Sequence, residues 1–87
     1  MKLLYLTLKK IWFDYIAKGI KNVEYRKVKP YWTKRLIPKI HTHILFKNGY
    51  SRYSPLMLVE YSKLTTDKRK GLYNLHLGKI LKIENWK

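Results

Sequence analysis

Gly19-Ile20-Lys21-Asn22-Val23-Glu24-Tyr25-Arg26-Lys27-Val28 is the stretch from which the rest of the chain can be read, because the period of the sequence changes across it. Upstream, over residues 9–18, Ile11, Trp12, Tyr15 and Ile16 recur at i, i+1, i+4, i+5, while Lys9, Lys10, Asp14 and Lys18 fall elsewhere. That spacing predicts a short amphipathic helix with Trp12 on its core side. Gly19 stands where a left-handed residue ends a helix most easily. From Val23 to Val28 the residues alternate instead, which predicts a strand. Val23, Tyr25 and Lys27 then leave one face, and Glu24, Arg26 and Val28 leave the other. Pro30 prevents the strand from continuing.

Upstream of the helix, residues 3–8 are Leu- and Tyr-rich and alternate, so a strand is expected there. Downstream, residues 31–37 form a short helix or turn, with Pro30 near its start and Pro38 at its end. A strand follows over 42–47, and Asn48-Gly49 is a hairpin turn signal. Pro55 opens a further strand, Leu56 to Leu64. Thr65 to Gly71 is a charged loop containing Lys68-Arg69-Lys70. Residues 72–77 and 80–84 make one or two closing strands with a bulge at Gly78. The order is strand, helix, strand, short helix, then three strands. No parallel βαβ repeat is evident, so the expected fold is α+β: a small, mixed, partly closed β-barrel with one main helix and a short second one. With 87 residues, 1–87 is a single domain.

Residues 19–26 carry four chemically distinctive positions in eight, Gly19, Lys21, Glu24 and Arg26. This pattern resembles the GxKxxExR signature of the ASCH domain family, a branch of the PUA-like superfamily. The resemblance extends over nearly the whole chain, through Lys29-Pro30-Tyr31-Trp32, Phe46-Lys47-Asn48-Gly49-Tyr50, the strand Leu56 to Glu60, and Tyr73 to Gly78. It implies a PUA-like β-barrel whose cleft takes RNA or a modified nucleoside. One branch of the family hydrolyses N4-acetylcytidine with a Lys and a Thr of this motif and a more distant Glu. Lys21 matches that Lys, but Glu24 stands where the branch has its Thr, so the nucleophile is not carried over.

The residues make chemical sense without the family. Glu24 and Arg26, two apart on a strand, leave the same face. Arg26 can fork onto a phosphate or carboxylate. Glu24 can accept from an exocyclic amine or act as a general base. Lys21, just past the helix, can neutralise a phosphate or act as an acid. The bland alternative is an ion pair on a solvated strand face. Around this core, basic and aromatic residues interleave twice. The first run includes Lys29, Trp32 and Arg35; the second is Tyr50, Arg52 and Tyr53. Bases stack on such rings while cations hold the backbone, and Trp32 and Tyr53 are the preferred exposed platforms.

Twenty Lys and Arg against five Asp and Glu give a net charge of +15. Lys used only for solubility comes with matching Glu, so this imbalance points to a polyanionic partner. RNA or a nucleotide comes first, with DNA possible. With 15% aromatic residues the composition is not that of a disordered chain. The absence of cysteine excludes disulfides and thiolate chemistry. His41 and His43 would share a strand face, but His-x-His lacks a third ligand, so no metal and no cofactor are expected. His76 is expected to be a half-buried structural residue. No run approaches the roughly 20 apolar residues of a membrane span, and Lys9-Lys10 interrupts the first apolar run. A soluble, cytoplasmic protein without a membrane partner is therefore expected. Three functions compete. The first is an RNA- or nucleotide-binding module. The second is an enzyme on RNA or a modified nucleoside, an amidohydrolase or ribonuclease with Lys21 and Glu24 as acid and base. The third is a small basic interaction protein of a mobile element that binds a host factor.

Overall fold

The computed structural model describes residues 1–37 and 39–86. It contains β1 (Leu3–Thr7), α1 (Lys10–Ala17), β2 (Val23–Lys27), α2 (Pro30–Leu36), β3 (His43–Lys47), β4 (Leu56–Asp67) and β5 (Leu72–Glu84). The expected order of elements is present, and Pro30 sits in the first turn of α2, where its fixed φ and missing N–H cost nothing. Pro38, expected at the end of that helix, lies outside the described residues.

The five strands form one mixed sheet in the order β1-β3-β4-β5-β2. β1 runs parallel to β3, and the other neighbours are antiparallel. The inward side chains line up across the strands. Leu4 pairs with Ile44 and Ile44 with Val59; Leu6 pairs with Phe46 and Phe46 with Met57. All six are buried, and Leu8 after β1, Tyr73 and Leu75 of β5, Phe13 and Ile16 of α1 and Leu36 of α2 complete the core. The sheet curls into a half-barrel, and its long hairpin shows why. The β4–β5 register slips three times between Leu58 and Lys63, and each slip bends and twists the ladder. One slip falls between the pairs Val59–Ile80 and Tyr61–Leu77, and so spans Gly78. A Cβ on Gly78 would stand 3.1 Å from the Glu60 Cβ. Below the bend, β4 pairs with β3; above it, β5 pairs with β2. The bend thus swings the edge strand β2 round toward β1, the opposite edge.

Four expectations need correction. The buried side of α1 is Phe13 and Ile16, whereas Ile11, Trp12 and Tyr15 are exposed. Six of the eight positions of α1 are apolar, so two overlapping stripes were available, and the stripe at i, i+3 faces the sheet. β3 and β4 form the expected antiparallel hairpin, but its turn is not the two residues Asn48-Gly49. β3 and β4 are joined by eight residues, 48–55, because the Asn48 amide instead donates to the Leu8 carbonyl (2.9 Å) and ties the loop to the β1–α1 junction. β4 continues to Asp67, past the expected stop at Leu64, so the turn is only residues 68–71. Asp67 Oδ1 accepts from the backbone of Arg69 and Lys70 in that turn. Finally, His41 lies before β3 and does not share a strand face with His43.

Candidate functional site

The end of α1 positions the first residue of the site. Lys18 is the C-cap, and Gly19, at φ 77°, is the left-handed residue after it. The Gly19 N–H donates to the Ile16 carbonyl (3.0 Å) and the Ile20 N–H to that of Tyr15 (2.9 Å), the paired bonds of a Schellman motif. The Lys21 N–H also donates to the Tyr15 carbonyl (3.1 Å). The Lys21 backbone is therefore fixed by the helix end, and its side chain returns over the start of β2.

On β2 the alternation holds. Glu24 is cross-strand from Leu75, and Arg26 from Tyr73. Both partners are buried core residues, so the carboxylate and the guanidinium enter the concave side of the sheet. There they meet Lys21. The Lys21 Nζ stands 2.9 Å from Glu24 Oε1, and the Arg26 Nη2 stands 2.8 Å from Glu24 Oε2. Glu24 is only 5% exposed, and the side chains of Lys21 and Arg26 are each 16% exposed. This is a withdrawn, three-membered cluster with two cations on one carboxylate, unlike a solvated surface pair.

Aromatic rings back both cations. The Lys21 ammonium lies 4.6 Å from the centre of the Trp12 ring and 5.5 Å from that of Tyr25. The Arg26 guanidinium lies 4.8 Å from Trp32, whose ring is also 5.2 Å from the Arg35 guanidinium. Such contacts strengthen as water is excluded. The same arginines hold the edge strand, since Arg26 Nη2 donates to the Thr7 carbonyl (3.0 Å) and Arg35 Nη2 to the Tyr5 carbonyl (2.8 Å). Arg26 thus spans the gap between β2 and β1. Its Nε is buried without a protein hydrogen-bond partner.

Two open clefts flank the cluster, with Glu24, Trp12 and Tyr25 forming a wall common to both. One, of about 510 Å³, adds Tyr15, Ile20 and Lys21. The other, of about 810 Å³, adds Arg26, Trp32 and Tyr50, with Lys9 and Lys27 at its sides. Both volumes fall in the roughly 300–1,000 Å³ range of small-ligand sites. No family model matches this chain, and neither a curated protein nor a solved structure does.

The other expected site residues divide. Gly19 acts through the helix end and Arg35 through Trp32. Lys29 is the N-cap of α2 and is exposed. Trp32 is half-buried rather than an open platform, because α2 is packed against the sheet and the Thr33 hydroxyl is hydrogen-bonded to that of Tyr73. Tyr53 is exposed, but it lies under the Arg52 guanidinium (4.9 Å) and lines a third depression with Asp14 and Trp86. The structure therefore separates Arg52 and Tyr53 from the Lys21 cluster. It adds Trp12, Tyr15 and Tyr50. Trp12 and Tyr15 meet edge to face at 5.8 Å and form the wall that their assignment to the core side of the helix had concealed. His76 is half-buried on β5 and shares a hydrogen bond with the Thr65 hydroxyl (2.8 Å). Among the described residues, no three His, Cys, Asp or Glu side chains form a metal-binding group. No helix among the described residues is long and apolar enough to cross a membrane.

Proposed function

We propose that this chain is an ASCH-like RNA- or nucleotide-binding domain, whose ligand lies in the clefts beside Lys21, Glu24 and Arg26. The observation that carries the reading is the convergence of two cations on one carboxylate in a largely desolvated position, between clefts walled by aromatic rings. A solvated ion pair would gain at most about 1 kcal/mol and would have no reason to withdraw from water. A phosphate-bearing ligand finds cations at the cluster, rings beside it, and a protein carrying +15 overall to attract it.

The test is the affinity of a fluorescein-labelled ten-nucleotide single-stranded RNA, followed by anisotropy as salt is raised. If Lys9, Lys27 and the single excess charge of the Lys21–Glu24–Arg26 cluster meet about three phosphates, log K falls with log salt at a slope of roughly −2. Raising salt fourfold, from about 50 to 200 mM, then weakens binding by roughly 20-fold. Absence of binding at the lower salt, or a flat salt profile, refutes the reading. Assaying the same samples for turnover addresses the enzyme reading, which no separate observation favours.

A further inference from the structure

The local charge and the division of the site into two clefts carry the reading further. Lys21 and Arg26 against Glu24 leave a formal excess of one positive charge in the withdrawn cluster. An internal phosphodiester brings one negative charge, whereas a terminal phosphate brings about 1.5 to 2 at pH 7. In a position this poorly solvated, a mismatch of charge is costly because water cannot absorb it. Lys9 and Lys27 flank one cleft but are exposed, so their fields are screened. The second observation is geometric. The cluster is at the boundary between the clefts, and each cleft has its own exposed ring, Tyr15 in one and Tyr50 in the other. A mononucleotide would occupy one side and leave the other empty. Two nucleosides joined by one linkage would occupy both.

We propose that the site takes a dinucleotide step of a single strand, with the internal phosphodiester beside Lys21 and Arg26 and one nucleoside in each cleft. This rests on the RNA-binding reading above and names its ligand class. A paired duplex is not a ligand, because its bases are turned toward each other and cannot enter separate clefts.

The experiment is competition against labelled A10 by ApA and by 5′-AMP, with the wild-type chain and with Tyr15→Ala and Tyr50→Ala. Tyr50 is 90% exposed, so its variant is expected to keep the wild-type melting temperature; Tyr15, 37% exposed, loses its edge contact with Trp12 and its variant is expected to melt lower but to stay folded at the assay temperature, which circular dichroism checks. ApA should displace A10 at a concentration at least tenfold lower than 5′-AMP, although AMP has the greater charge. Each variant should weaken ApA by about tenfold, the scale of one lost stacking contact. If ApA is no better than AMP, the dinucleotide inference is overturned; this includes the case in which both are ineffective. Loss of ApA competition in only one variant overturns it as well. In those cases binding of A10 itself still supports the broader reading. Failure of A10 to bind removes both.

Discussion

Replacing Glu24 with Gln isolates the cluster from the rest of the fold, because the amide keeps the shape and removes the charge. Glu24 is 5% exposed, with cations at 2.9 and 2.8 Å on its two oxygens. Gln offers one carbonyl and one NH2, so one of the two cations is left facing a donor. Breaking a buried ion pair by removing one partner costs about 3–5 kcal/mol. The two cations retain 16% of their side-chain surface and can move partly into water, which places the expected loss at the low end, about 3 kcal/mol. A domain of 87 residues has roughly 4–13 kcal/mol in all, so the variant should fold but melt roughly 12–24 °C lower. Thermal unfolding followed by circular dichroism reads this directly. Glu84→Gln is the control, since the Lys82–Glu84 pair is 3.5 Å apart and both side chains are well exposed. Its effect should stay within about 0.5 kcal/mol. If Glu24→Gln costs less than about 1 kcal/mol, the trio behaves as an exposed pair does and is not withdrawn from water.

Gly49→Ala should destabilise the chain by about 1–3 kcal/mol, measured as the urea midpoint. Gly49 has φ 118°, and an added Cβ would lie 2.7 Å from the Ser54 hydroxyl, which cannot yield freely because it accepts from the Ser51 N–H (3.1 Å). A variant as stable as wild type would show that the 48–55 loop is not held as described. Burial, followed by the nearby cations of Lys39 and Arg35, holds His41 below the usual 6.5. As pH falls, the unfolded chain therefore takes up this proton before the folded one does. The associated stability is complete above 6.5 and is lost as pH drops through the lowered folded value. His41→Gln should make the urea midpoint fall less between about pH 7.5 and 5.5 than it does in wild type; equal slopes would remove His41 from the account.

The sequence disclosed most where chemistry is local. Gly19, Lys21, Glu24 and Arg26 lie within eight residues, so helix end, strand start and shared face follow from two periods and a glycine. The strands β1 and β3 were also legible, because both are short apolar runs and their inward positions, Leu4, Leu6, Ile44 and Phe46, are all apolar. Legibility failed where a choice depended on partners far along the chain. The helix α1 offers two apolar stripes, and only the curvature of a sheet assembled from five strands spread over residues 3–84 decides between Phe13 and Trp12. Asn48-Gly49 has hairpin chemistry, yet Asn48 is drawn to Leu8, forty residues earlier. The split of the aromatic–basic runs has the same origin. Trp32 joins the cluster because α2 packs on Tyr73, whereas Tyr53 follows the loop toward Trp86, which itself donates to Asp14 (3.0 Å).

Arg26 shows why site and fold are difficult to separate in this molecule. One Nη2 serves the Glu24 carboxylate and the Thr7 carbonyl, so the same guanidinium belongs to the charged cluster and bridges the open side of the half-barrel. The bulged hairpin brings β2 near β1, but Arg26, with Trp32 beneath it, makes the side-chain link across. A compact ammonium would not reproduce this, since it lacks the planar face that meets the indole. The curl of the sheet and the depth of the clefts are therefore coupled: whatever loosens the β1–β2 gap also displaces a cation from the cluster. That coupling gives a physical reason for a charged trio to occupy a position that apolar side chains would otherwise fill. A small domain with an incompletely closed sheet uses one guanidinium both to pair its buried carboxylate and to set the spacing of the two edge strands beside the cleft.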